Sequence, residues 1–289
     1  VTPLPMEFPE KGISVERVRR DLRKARGKDI SFASGRIIGS MCTEPLPISK
    51  EAYARFIEAN MGNSGLYPGT ADLETKVISM LRSLMRAPAG SGGRVFSGAT
   101  ESNISALWIA RNASRRRKVV FGANAHFSIE KGCDMLGLEP VVIPLDGSYR
   151  TDVDRLKGGL DDACAIVATA GTTELGVVDP IREISDVCGD VPIHIDAAFG
   201  GFVLPFLSDV PDFDFSVPGV QSMAIDHHKM GMSSMPAGSL VLRDAGQFMR
   251  IQSSSPYLTR QFQEGILGTR ASSGIASAYA AMTTLGRKG

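Results

Sequence analysis

The chain has 289 residues, 43% of them hydrophobic, which is enough apolar material for one large core or for one large and one small. A net charge of +1 excludes a global field directed at nucleic acid or an anionic membrane. No apolar run approaches the ~20 residues needed to cross a bilayer.

The proline-rich start, VTPLPMEFPEKG, reads as extended and lacks the apolar core of a signal peptide. From Ser14, SVERVRRDLRKAR reads as a charged helix with a narrow apolar stripe. Two more helices are expected, one around 50–59 and one from about 71 to 85, on either side of a glycine-rich loop. Short apolar runs then recur at 94–97, 119–122, 140–144, 165–169, 193–196, 222–226 and 239–242. Helical stretches such as 101–112, 128–136 and 181–187 lie between them. That rhythm predicts an α/β domain with a mostly parallel sheet. Too few residues join the last two runs for a crossover helix, so an antiparallel pair is expected there. The basic run at 115–118 follows a helix and precedes a strand, as a solvated helix end does. Cys42, Cys133, Cys164 and Cys188 are far apart with no CxxC pair. They suggest neither a zinc knuckle nor a disulfide framework, and a reducing cytoplasm is the expected setting. The closing GIASAYAAMTTLGRKG reads as another helix.

Ligands of open α/β sheets collect at the carboxyl ends of strands, so the polar residues that end the apolar runs matter most. Five such stretches are SGATESN, AHF, TAGTTELG, HIDAAFGG and DHHK. SGATESN feeds a helix start whose free N–H groups suit a phosphate, or Thr100 simply caps that helix. Asp196 ends an otherwise apolar strand, where a carboxylate needs a cationic partner or caps the next turn. His194 and Asp196 share a strand face. A metal pair is conceivable with His227 or His228 as third ligand, but no metal is assigned. Lys229 either lies on a solvated turn or is an amine made nucleophilic by a semi-enclosed site. An anion site, an acid and an amine at successive strand ends are what pyridoxal phosphate requires: it has a phosphate, a pyridine nitrogen and an aldehyde.

SGATESN, AHFSIEKG, TAGTTELG, HIDAAFGG and DHHKMG resemble, in order and spacing, the group II pyridoxal-phosphate decarboxylases. GSMCTEPLP, GLYPGT and SPYLT…GILGTR are similar to the archaeal L-tyrosine/L-aspartate decarboxylases of methanofuran and coenzyme A biosynthesis. The likeness runs from about residue 12 to 286. It implies a type I pyridoxal-phosphate transferase fold: a large domain with a mostly parallel mixed sheet flanked by helices. Residues 1–48 would form an N-terminal segment and 49–289 the large domain, with the small C-terminal domain of the family missing. The resemblance further implies that Lys229 holds the cofactor aldehyde covalently and that Asp196 pairs with the pyridine nitrogen. His126 and Ala198 would cover the two ring faces. Ala99, Thr100 and His228 would hold the phosphate, and Thr172 would sit near the ring edge. Thr269 would reach the site of a neighbouring subunit in a homodimer, and Tyr257, in a mobile loop, would protonate the substrate carbon. Two departures are His227, where the subfamily usually has proline, and Ala99, where it usually has glycine. The implied activity is decarboxylation of L-tyrosine or L-aspartate. Rival readings are a carbon–carbon lyase resembling sphingosine-phosphate lyase and a non-catalytic dimerisation scaffold.

Overall fold

A computed structural model describes residues 8–37 and 42–289. Residues 1–7 of the proline-rich start and 39–41 of GSMCTEPLP lie outside the described residues. The chain divides into two compact units, Val1–Ser40 and Met41–Gly289. In the first, α1 (Val15–Arg26) starts at Ser14, whose hydroxyl accepts from the Arg17 N–H. None of its residues is buried, and Val15, Val18 and Leu22 are exposed.

In the second unit, α2 (Pro47–Arg55) and α3 (Pro68–Leu84) each start on a proline. Proline lacks only an N–H that the first turn cannot use, and its φ is already helical. Both helices therefore begin earlier than the apolar periodicity indicates. Seven strands follow: β1 (Gly92–Phe96), β2 (Lys118–Gly122), β3 (Glu139–Ile143), β4 (Ala163–Thr169), β5 (Ile193–Asp196), β6 (Val220–Asp226) and β7 (Gly238–Leu242). They form one sheet in the order β1-β7-β6-β5-β4-β2-β3. β7 is antiparallel to β6, as its short connection requires, and also to β1. The remaining pairs are parallel. Two reversals restore direction, so β1 runs with the parallel strands and delivers its carboxyl end to the same edge.

The strand alternation sends side chains to two layers. Val120, Ile166, Ile193 and Ile195 pack with Val77 and Leu81 of α3, Leu156 of α6 (Val153–Lys157), Ile184 of α7 (Ile181–Val187) and Ile275 of α8 (Ser272–Leu285). Val119, Phe121, Ala165 and Val167 face Leu107 of α4 (Ala99–Ala113) and Ile129 of α5 (Ser128–Leu136). Each fully buried aliphatic side chain contributes roughly 1.5–3 kcal/mol over an exposed one. Two buried carboxylates tie loops to this frame. Asp179 accepts from Asn124 Nδ2, Thr151 N, Thr151 Oγ1 and Thr169 N at 2.7–3.0 Å. Glu74 of α3 takes both terminal nitrogens of Arg270 at 2.9 Å. Where a loop is expected around Tyr257, β8 (Gln252–Ser254) and β9 (Phe262–Glu264) form a hairpin. Among the described residues no helix is long and apolar enough to cross a membrane.

Candidate active site

The carboxyl ends of β1, β2, β4, β5 and β6 open onto one cavity of about 440 Å³. Ala99, Thr100, His126, Asp196, Ala198, His228 and Lys229 line it. Thr172, Tyr257 and Thr269 are not among its lining residues. Thr172 is buried with its hydroxyl accepting from the Val177 N–H, although its neighbours Gly171 and Thr173 do reach the cavity. Tyr257 is 82% exposed in the turn of the hairpin, and Thr269 is exposed beside Arg270.

The turn from β1 to α4 passes through Gly98, and no side chain caps the helix there. Thr100 does not act as the cap. Instead the Glu101 carboxylate reaches back to Ser97 N and Oγ, both at 2.8 Å. The Ala99 N–H donates to Asp226 Oδ1 at 2.7 Å. The first turn of a helix has no internal acceptors for its N–H groups, and Thr100 and Glu101 of this turn line the cavity, at the positive end of the helix dipole. The His228 ring lies against this start: a Cβ on Gly98 would come within 3.3 Å of its Cε1.

Lys229 follows β6 by one short turn. Its Nζ is 3.2 Å from Asp226 Oδ2, and its side chain is 12% exposed. The amine is thus held by a carboxylate and does not lie on a solvated turn. Burial pushes the Asp226 carboxyl above its usual range, while His228 and Lys229 pull it back. Asp226 stands three residues before Lys229 in DHHK, and its place at a strand end was the signal for it. Its second contact, with the Ala99 N–H, does not follow from the sequence, because Ala99 is 127 positions away.

Asp196 ends β5 and is 4% exposed. Of its two expected arrangements, no cationic partner is present among the described residues, and the cap of the next turn is. The Asp196 carboxylate accepts instead from Asn103 Nδ2 at 2.8 Å and Ala198 N at 3.1 Å. Asn103 and Ser128 are contributors that sequence reasoning misses, since nothing in a helix interior marks one asparagine as facing a strand end. His126 is lowered by burial, with Asp196 opposing that shift. His227 is not at the cavity. It is fully buried with Nε2 2.7 Å from Ser239 Oγ, and burial lowers it to about 3. Arg270 is committed to a buried ion pair with Glu74 and does not line the cavity. No group of three His, Cys, Asp or Glu side chains among the described residues converges as metal ligands do.

Pyridoxal phosphate fits this arrangement. A buried carboxylate without a cation faces the cavity, which suits a pyridinium N–H. A lysine amine lies on the same cavity, and a helix start that no side chain caps suits a phosphate.

Comparison with known proteins gives the same direction. The profile of the pyridoxal-dependent decarboxylase conserved domain matches residues 5–289. A probable L-tyrosine/L-aspartate decarboxylase of Methanospirillum hungatei is 43% identical over 96% of this chain and 76% of its own length. A probable L-aspartate decarboxylase of Pyrococcus furiosus is 42% identical over 98% of this chain and 79% of its own length. Among solved structures, a sphingosine-1-phosphate lyase of Burkholderia pseudomallei superposes with a TM-score of 0.88 at 27% identity, over 99% of this chain and 72% of its own. The glutamate decarboxylase of Lactobacillus brevis has the same fold, with a TM-score of 0.87 at 23% identity over 99% of this chain and 71% of its own. A profile match across nearly the whole chain, on a sheet that gathers an acid, an amine and a helix start at one edge, makes this chain a member of the pyridoxal-dependent decarboxylase family.

Proposed function

We propose that the cavity decarboxylates an L-amino acid, L-tyrosine in preference to L-aspartate. The reading rests on one observation: Lys229 and Asp196, from the ends of adjacent strands, line the same cavity. Bound pyridoxal phosphate supplies an aldehyde for covalent attachment and a ring that withdraws electrons. Lys229 is the attaching amine, and Asp226 orients it. Asp196 keeps the proton on the ring nitrogen. His126 covers one ring face and Ala198 the other. The N–H groups of Thr100 and Glu101 hold the phosphate with His228, beside the Ala99 backbone. Thr172, through its bond to Val177 N, stiffens the loop at the ring edge. Holding the substrate so that the breaking bond is aligned with the ring is a positioning effect, and the carboxylates add electrostatic stabilisation.

Tyr257 is proposed to return a proton to the substrate carbon once carbon dioxide has left. From an exposed hairpin turn it does so only after the hairpin moves or from a second copy. A homodimer is therefore part of the proposal, with Thr269 directed at the neighbour's site. Residues 49–289 act as the cofactor-binding domain, residues 1–48 form a separate N-terminal segment, and the cytoplasm is the proposed compartment. Phe127, Phe199, Met235 and Pro236 supply apolar walls, and no arginine of the described residues lines the cavity. That favours an aromatic over an acidic side chain. The basic side chains that do line the cavity, His126, His228 and Lys229, are assigned to the cofactor, which leaves none for the phosphorylated substrate of a sphingosine-phosphate lyase.

The test is to load the protein with pyridoxal phosphate, record the visible absorbance, and assay carbon dioxide and amine from tyrosine, aspartate and glutamate. A visible band and tyramine are expected. Lys229→Ala should lose both, and Tyr257→Phe should keep the band while amine release falls. Aspartate turnover above tyrosine would overturn the substrate assignment, and an unchanged band in Lys229→Ala would overturn the site.

A further inference from the structure

Behind the cavity runs a buried polar chain that the family assignment leaves without a role: Ser222, His194, Asn103 and Ser128. We propose that Asn103 and His194 are positioning residues that aim one amide group at both polar contacts of the cofactor ring, Asp196 directly and His126 through Ser128. This rests on the cofactor reading above.

Hydrogen-bond bookkeeping carries the argument. Asn103, on α4, is 0% exposed. Its Nδ2 donates to Asp196 Oδ2 at 2.8 Å and to Ser128 Oγ at 2.9 Å. Its Oδ1 is 2.9 Å from His194 Nε2, and His194 Nδ1 is 2.8 Å from Ser222 Oγ. An ionised carboxylate only accepts, so the NH₂ of Asn103 must face Asp196. Its carbonyl oxygen must then face His194, and Nε2 must carry a hydrogen. Complete burial holds the His194 imidazole neutral, lowered to about 4. Nε2 therefore bears the ring's single proton, and Nδ1 accepts from the Ser222 hydroxyl.

The other branch is fixed in the same way. Ser128 Oγ accepts from Asn103 and has its own hydrogen to donate, and His126 Nδ1 lies 2.8 Å away. The Ser128 N–H points at that nitrogen too, at 3.2 Å. Nδ1 of His126 is thereby an acceptor, and its N–H lies on Nε2. One protonation pattern thus runs from β6 through β5 and α4 to both groups that meet the ring. Each donor and acceptor in the relay is used, which is the condition under which a buried polar network becomes rigid rather than costly. An apolar substitute would fill the space but could not orient the carboxylate.

Two variants separate orientation from packing. His194→Gln keeps an N–H for Asn103 Oδ1, whereas His194→Phe keeps the ring volume and loses the donor. His194→Phe should weaken pyridoxal phosphate binding about 10–100-fold, the scale on which a metal site responds when a ligand loses its outer hydrogen-bond partner, and lower kcat with KM little changed. His194→Gln should restore most of both. On the unsubstituted protein, ¹⁵N NMR of the imidazoles should show His194 neutral and protonated on Nε2, with or without cofactor. That measurement decides the matter even if a variant fails to fold. Protonation on Nδ1 overturns the proposal, as does a His194→Phe protein that loses melting temperature but binds cofactor as the parent does. If the parent protein shows no cofactor band, the cofactor reading falls and the proposal with it. A parent band with indifferent variants removes the relay alone.

Discussion

Two imidazoles lie where water does not reach. His194 and His227 are 3% and 0% exposed, and burial lowers them to about 4 and about 3. In an unfolded chain both would titrate near ~6.5. As pH falls below that value, the unfolded chain takes up protons that the folded chain refuses, so stability is lost on acidification. Above ~6.5 their contribution is fully present. Each histidine adds about 1.4 kcal/mol per pH unit to the slope between ~6.5 and its folded value. Urea unfolding at several pH values between about 6 and 4.5 should therefore show a slope that drops by about one proton in His227→Gln. An unchanged slope would mean that the ring is protonated inside the fold. Lys229 and Asp196 are legible in the sequence because a charged residue that ends an apolar run stands out locally. Asp226 stands out by the same rule, but its bond to the Ala99 N–H, 127 residues away, does not; Asn103 is not legible at all, because what defines it is a partner 91 residues away.

At the scale of elements, the seven sheet strands and most helices follow from apolar periodicity, and the antiparallel β6–β7 pair follows from its short connection. The pairing of β1 with β7 does not, because strand order depends on which edges meet rather than on any one segment. The β8–β9 hairpin is likewise hidden in a polar stretch with little alternation. The crossing of β7 between β1 and β6 depends on Gly238, which pairs with Phe96 on one side and Asp226 on the other. A Cβ there would lie 2.5 Å from both Asp226 Oδ1 and Gly98 Cα. The backbone of Gly98 cannot yield as a side-chain tip can, so Gly238→Ala should cost about 1–3 kcal/mol of stability by overpacking. It should also displace Asp226 from the Ala99 N–H and from Lys229, which weakens cofactor binding. Chemical denaturation together with a cofactor titration checks both. Loss of stability with unchanged cofactor affinity would show that Asp226 does not orient the lysine.

At the scale of the molecule, the cavity joins five strand ends and the start of α4, elements that are far apart in the chain. A ligand bound there stabilises the folded chain as a whole, since the unfolded chain has no such site. At a hundredfold excess over its dissociation constant the gain is about 2.7 kcal/mol. For a protein of this size class each kcal/mol raises the melting temperature by roughly 2–4 °C, so pyridoxal phosphate should raise it by about 5–10 °C. Pyridoxal, which lacks the phosphate, keeps the aldehyde and the ring nitrogen but has nothing for the helix start to hold. At equal concentration it should give a clearly smaller shift, and the difference should shrink in high salt, because charge at a helix start is screened. Inorganic phosphate alone should give a small shift that competes with the cofactor. Equal shifts from pyridoxal and its phosphate would remove the anion site from Thr100 and Glu101 and leave only the ring contacts to explain binding.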